Sequence, residues 1–212
     1  MDCLALFILV AIVITLIFLI SRARKHAAEK KIERECREQL DGLQAKIEPY
    51  LKSLETTLNP QSDYLMKKDW DTKLAISQTT YREVIATLNK LQTDNKEYSS
   101  LKRFCELHAN TDIRVQQNEK YKQKELNKYK MLLDDVGGHS LDEQQRNAVV
   151  TDEYNNLIIA GAGSGKSLTV VGKVKYLVQS KGIKPENILV TSFTRASVSD
   201  LSKKISDAGI EG

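Results

Sequence analysis

Residues 157–167 read LIIAGAGSGKS, and the meaning of this stretch constrains everything around it. Leu157, Ile158, Ile159 and Ala160 form an apolar run of strand length. It enters a turn with glycines at Gly161, Gly163 and Gly165, closed by Lys166 and Ser167. Glycines at this spacing let the backbone curl tightly and turn successive N–H groups toward an anion. A lysine closing such a loop can reach the β- and γ-phosphates of a nucleotide. The hydroxyl after it can ligate Mg²⁺, and the next helix offers its positive N-terminus. The strict pattern G-x-x-x-x-G-K-[ST] has Ala160 in its first place, where the residue only closes the turn. Val170, Val171, Val174, Leu177 and Val178 give the following segment a helical stripe. The turn thus lies between a predicted strand and a predicted helix, where a phosphate cradle belongs. Ala160, Gly161, Ala162, Gly163, Ser164, Gly165, Lys166 and Ser167 are the candidate phosphate-binding residues, with Ser167 the candidate Mg²⁺ ligand.

Around this module, 212 residues leave room for one domain and an appendage. Charged residues make up 28% of the chain and aromatic ones 6%, which suits long helices better than one compact core. A net charge of +4 is too mild to argue for a nucleic-acid partner by itself. Cys3, Cys36 and Cys105 lie far apart with no C-x-x-C pair, so neither a disulfide framework nor a zinc site is indicated. His26, His108 and His139 are equally scattered and read as solvated or half-buried helix residues.

Cys3 to Ile20 is an uncharged run of 18 residues. At about 1.5 Å per residue it just spans a hydrocarbon core of about 30 Å. A cleaved signal peptide would carry positive charge ahead of the apolar run and small residues behind it. Here Asp2 precedes the run, and Arg22, Arg24 and Lys25 follow it. The pattern predicts an uncleaved, single-pass transmembrane anchor over residues 1–21, held in the membrane by residues 3–20. The positive-inside rule then places the N-terminus outside and residues 22–212 in the cytoplasm.

Residues 22–138 read as a helical neck. Ile32, Cys36, Leu40, Leu43, Ile47, Leu51, Leu54 and Leu58 recur in steps of three and four, the stripe of one helix. Pro49 predicts a kink and Asn59-Pro60 an end. A second helix is expected over about 67–108. A third is expected to run from a fresh N-cap at Asn110–Asp112 to the break at Gly137-Gly138. With no strict heptad, an intramolecular hairpin is favoured over a long coiled coil, and homodimerisation through this neck stays open. Tyr129–Asp135, YKMLLDD, superficially resembles an apolar strand whose terminal Asp holds Mg²⁺. It precedes the phosphate loop within a lysine-rich helix, and reads as the end of a solvated helix.

Residues 139–212 form the nucleotide module. Ser140 predicts a helix N-cap, with Glu143 completing a capping box. The amide of Gln145 is of a type suited to the N6 and N7 edge of adenine. Three stretches in this order, LDEQQRNAVV (141–150), AGAGSGKS (160–167) and ILVTSFTRASVSDL (188–201), resemble UvrD/Rep-type superfamily 1 DNA helicases. The resemblance implies an ATP and Mg²⁺ site in which Gln145 contacts adenine and Arg146 is a nucleotide neighbour. Residues 160–167 would hold the phosphates, with Ser167 standing where the family usually has threonine. The third stretch resembles the motif that touches single-stranded DNA, which implies Phe193 and Thr194 as contacts. Ala196 stands there in place of the family's usual lysine. Read from the residues alone, Phe193 is equally a core side chain at a strand end. The helices ahead of the module, with NEKYKQKELNKYKMLLDDV (118–136) leading into it, resemble the helicase IV branch, from which a membrane anchor is a departure.

The expected fold is an N-terminal transmembrane helix, an α-helical neck and a partial α/β RecA-like P-loop domain. Its parallel sheet would be incomplete, with strands at 157–160 and 188–192 joined by one crossover helix. The family's Asp-Glu pair, arginine finger and second motor domain do not follow within the 212 residues. The expectation is therefore the N-terminal portion of a 3′–5′ helicase, binding ATP but inactive alone. The alternative, of a different class, is a membrane-tethered nucleotide-binding or scaffold protein without catalysis. A kinase is disfavoured by the stretch around Gln145.

Overall fold

The computed structural model describes residues 3–59, 63–91 and 98–211, with the side chains of 3–11 and of Leu91 outside the description. Its helices are α1 (Cys3–Thr57), α2 (Lys67–Leu91), α3 (Ser99–Ala109), α4 (Asp112–Lys128), α5 (Lys130–Asp134), α6 (Glu143–Val150), α7 (Lys166–Lys181) and α8 (Arg195–Asp207). A 3₁₀ turn covers Pro185–Asn187. Packing divides the chain into two units. One holds the residues up to Leu54 with Leu74–Asn110; the other holds Glu55–Lys73 with Thr111–Gly212.

In the first unit the apolar stripe of α1 is buried at Cys36, Leu40, Ile47 and Leu54. Lys46 of α1 pairs with Glu83 of α2 at 2.6 Å, and Gln44 Nε2 donates to Ser100 Oγ of α3 at 3.1 Å. Val84 of α2 and Leu101, Phe104 and Leu107 of α3 are also fully buried. Half of the stripe is thus buried within one chain, while Leu43, Leu51 and Leu58 are half-buried and Ile32 is exposed. The expected second helix is two, α2 and α3, with residues 92–97 outside the described residues. Helix α1 runs through Pro49 without interruption.

His108 sits in this unit with its ring stacked on Tyr81 at 4.6 Å and against the edge of Phe104 at 4.7 Å. Its Nε2 is 2.9 Å from Ser77 Oγ. Burial pushes its pKa below the usual histidine value. A depressed folded pKa favours the neutral ring, so its stabilising contribution is complete above about pH 6.5, the unfolded value. It is lost as pH falls through the lower folded value. Thermal melts between pH 7.5 and pH 5 are expected to show a fall in melting temperature that is smaller in His108→Gln. Identical pH slopes for the two proteins would refute this role.

The second unit is built on Leu133, Val136, Leu141, Val149, Val150, Val171, Val174, Tyr176, Ala208 and Ile210. Helices α6 and α7 meet closely at Gly172, where an added Cβ would stand 2.8 Å from Leu141 Cδ1 and 3.4 Å from Val149 Cγ2. The loop after α6 is anchored by the segment before α2. Glu153 accepts the Lys67 N–H at 2.9 Å and pairs with Arg114, while Asn118 Oδ1 accepts the Leu65 N–H at 2.8 Å and its Nδ2 donates to Leu65 O at 2.9 Å. The expected third helix breaks at Tyr129 (φ −105°, ψ 24°), giving α4 and the short α5.

Two expectations are corrected. Among the described residues there is no β-strand, so the RecA-like parallel sheet is not formed. Residues 157–160 and 188–192 carry no ladder, and Leu157, Ile159 and Leu189 stand 85–88% exposed. A strand is held by the N–H and C=O groups of its neighbours, and a parallel sheet needs cover on both faces. Two short apolar runs do not supply that for one another. Second, among the described residues no helix is long and apolar enough to cross a membrane. This overturns the anchor over residues 1–21, the membrane as partner of residues 3–20, and the single-pass placement of residues 22–212. The part of that expectation resting on side chains 1–11 lies outside the described residues.

Candidate nucleotide site

The loop before α7 has the local geometry that its glycines dictate. Gly163 (φ +76°) and Gly165 (φ +79°) are left-handed, a region that other residues rarely adopt. Ser164 folds back on the loop, its Oγ donating to Gly161 O at 2.8 Å. Gly165 is the N-cap of α7, and its carbonyl accepts the Thr169 N–H at 3.0 Å and the Thr169 hydroxyl at 3.2 Å. The first N–H groups of α7 therefore open directly onto the loop, with no side-chain cap in front of them. Lys166 arches back, its Nζ donating to Ala160 O at 3.0 Å and Gly161 O at 2.6 Å. Its ammonium lies over the loop's own carbonyls, and Ala162 and Ser167 are exposed beside it.

Gln145 is brought to this loop by α6. The helix starts two residues later than Ser140 and Glu143 suggest, with Asp142 as N-cap and Gln145 as its capping-box partner. Asp142 Oδ1 accepts the Gln145 N–H at 2.8 Å, and Gln145 Oε1 accepts the Asp142 N–H at 3.0 Å. Gln145 Nε2 then donates to Ser164 O at 3.1 Å. Asp142 was missed in the sequence, although D-x-x-Q is itself a capping-box spacing.

Arg146 turns the other way. Its Nε donates to Leu141 O at 2.6 Å, and one Nη reaches Asp134 Oδ1 at 2.6 Å and Ser140 Oγ at 2.8 Å. Lys130 and Arg146 together hold the Asp134 carboxyl below the usual carboxylate range. In this structure Arg146 pins α5 to α6 and is not brought to the loop. Lys173 caps the other end of α6, donating to Val149 O and Thr151 O at 2.8 Å each. Burial lowers its pKa, with Asp152 acting in the opposite sense.

Phe193 is fully exposed and takes no part in the core. Thr194 is the N-cap of α8, its Oγ1 accepting the Ser197 N–H at 3.1 Å. Both stand on the short segment between 188–192 and α8.

Comparison with known proteins bears on the same region. Residues 141–210 match the UvrD/REP helicase N-terminal domain. The likeness to UvrD/Rep-type helicases is thus one of this N-terminal domain portion. The match opens at Leu141, just ahead of the cap of α6, and ends at Ile210 in the core. DNA helicase IV of Escherichia coli (strain K12) is 33% identical over 92 residues, 43% of this chain and 14% of that protein. A probable DNA helicase of Mycoplasma pneumoniae is 35% identical over 65 residues, 31% of this chain and 12% of that protein. The ATP-dependent DNA helicase PcrA of Staphylococcus epidermidis is 35% identical over 66 residues, 31% of this chain and 9% of its own. The chain thus spans about a seventh or less of the length of these relatives. No solved structure matches it.

Proposed function

We propose that this UvrD/Rep-type N-terminal portion binds ATP with Mg²⁺ and serves a DNA helicase. The observation that carries the reading is the meeting of α6, the glycine loop and the open N-terminus of α7. Gly163, Gly165 and the first N–H groups of α7 offer donors to the phosphates, and Lys166 offers charge once it leaves Ala160 O and Gly161 O. Ser167, exposed on the first turn, would ligate Mg²⁺ through its hydroxyl. Gln145 has one N–H of its amide committed to Ser164 O, which leaves its second N–H and a lone pair on Oε1 for the adenine edge. Phe193, exposed and aromatic, suits stacking on single-stranded DNA beside Thr194. Likeness to relatives named as DNA helicases supports this direction.

The test is amide hydrogen exchange of the 212-residue chain with and without Mg²⁺–ATP. Protection confined to residues 161–169 and to the start of α6 is the expected result. Exchange there that saturating Mg²⁺–ATP leaves unchanged would remove the proposal.

A further inference from the structure

We propose that Gln145 is a positioning residue of the phosphate loop itself, holding it ready for a triphosphate whatever base is attached. This rests on the nucleotide reading above and assigns Gln145 a role that base recognition does not require.

The amide of Gln145 is tied at both ends. Oε1 accepts the Asp142 N–H at the start of α6, which fixes the side chain to a helix. Nε2 donates to Ser164 O, nineteen positions further on, in the middle of the loop. The loop is therefore moored to the capped end of α6 rather than to a freely turning side chain. Among the described residues there is no cis peptide, so the 164–165 peptide presents its C=O and N–H in opposite directions. With the Ser164 carbonyl turned toward Gln145, the Gly165 N–H faces away from it. One hydrogen bond thus sets the direction of a donor at the threshold of α7.

The packing around the same contact is equally specific. A Cβ on Gly165 would stand 2.5 Å from Gln145 Nε2 and 3.6 Å from its Cδ, and the Gly165 φ of +79° already resists any other residue. The amide fills the space that a side chain at 165 would need. A glutamine whose sole task was to read adenine would not have to touch the loop at all. Here the amide joins the loop to the start of α6 through both of its ends.

The two roles separate with a ligand that has phosphates and no base. Titration of the 212-residue chain with Mg²⁺–tripolyphosphate and with Mg²⁺–ATP compares wild type, Gln145→Ala, Asp142→Ala and Lys166→Ala. Gln145→Ala is expected to weaken tripolyphosphate binding about ten-fold, in the range of one lost hydrogen bond that orders a loop. Asp142→Ala removes the carboxylate that caps α6 but leaves the Asp142 N–H and the Gln145–Ser164 bond in place. It is expected to lower the melting temperature while tripolyphosphate affinity stays within about two-fold of wild type. Loss of ATP affinity in Gln145→Ala with tripolyphosphate affinity unchanged would overturn the positioning role and leave base recognition standing. An equal loss of tripolyphosphate binding in Asp142→Ala would overturn it in favour of a purely structural cap. Wild type binding neither ligand better than Lys166→Ala would bring down the nucleotide reading, and this role with it.

Discussion

Lys166→Ala is expected to weaken Mg²⁺–ATP binding by the 212-residue chain roughly 100-fold. A hydrogen bond from a charged donor contributes about 1.5–3 kcal/mol, so two such contacts to the β- and γ-phosphates, each at the low end of that range, account for that factor. The same substitution also removes the bonds from Nζ to Ala160 O and Gly161 O, so the loop loses its closure. These effects act in different states: loss of the latch loosens the unliganded loop, whereas loss of the charge weakens the complex. Lys166→Arg separates them, because it keeps the charge but exchanges a compact ammonium for a planar fork that does not reproduce the same reach. It is expected to bind ATP better than Lys166→Ala and worse than wild type. Equilibrium dialysis with labelled ATP reads all three. Binding by Lys166→Ala within about three-fold of wild type would mean that the phosphates lie elsewhere.

The largest loss of stability is expected at Tyr176. This residue of α7 is fully buried, stands edge-on to Tyr129 with ring centroids 5.6 Å apart, and donates its hydroxyl to Glu125 of α4. Burial raises its pKa first and the Glu125 carboxylate second, so the hydroxyl stays a donor at every ordinary pH. Lys173 and Lys181 lie over the ring at 5.6 Å and 5.9 Å. Tyr176→Ala opens a ring-sized cavity and strips a buried carboxylate of its partner. The cavity alone costs about 3–5 kcal/mol, a large share of the stability of a domain this size. Tyr176→Phe keeps the ring and loses the bond to a charged acceptor, about 1.5–3 kcal/mol. Urea midpoints are therefore expected to fall in the order wild type, Phe, Ala, with the second unit of the Ala variant largely unfolded at 37 °C. Equal and small losses, under about 1 kcal/mol for both, would show that the α4–α7 contact contributes little.

The difference between what the chain announced and what it does follows from the range of the interactions. The glycine loop is a local object: Gly163 and Gly165 set their own backbone, and the helix behind them follows from an apolar stripe and the absence of breakers. Gln145 reaches this loop by a tertiary route, carried there by α6, and its expected role toward adenine stands as a proposal. The cap of α6 lay two residues from its expected place because Ser140 and Asp142 both suit the position. Only the outcome at Arg146, which takes Ser140 Oγ as an acceptor, decides between them. Arg146 is expected beside the nucleotide, while in the structure its side chain turns to Asp134, Leu141 and Ser140. Neighbouring positions on a helix point about 100° apart, and its partners Asp134 and Leu141 are tertiary choices. The strands failed for a different reason. An apolar run of four states only that it wants burial, and a ladder exists only where another strand supplies it. The apolar run over Cys3–Ile20 carried the same ambiguity, since hydrophobic length says that a helix forms and not what surrounds it.

Glu153 has one more implication, for the order of assembly. It closes the start of α2 by accepting the N–H of Lys67, 86 positions earlier in the chain. At translation rates of about 5–20 residues per second, Lys67 is made roughly 4–17 s before its partner. Asn118, 53 positions after Leu65, is made sooner and can seize that backbone first. The segment before α2 is thus held in two instalments, and the loop at 161–165 emerges immediately after the second. Contacts this distant in sequence slow folding, because chain entropy is lost before they form. The start of α2 is therefore among the earlier parts of its unit to be made and among the later ones to be closed.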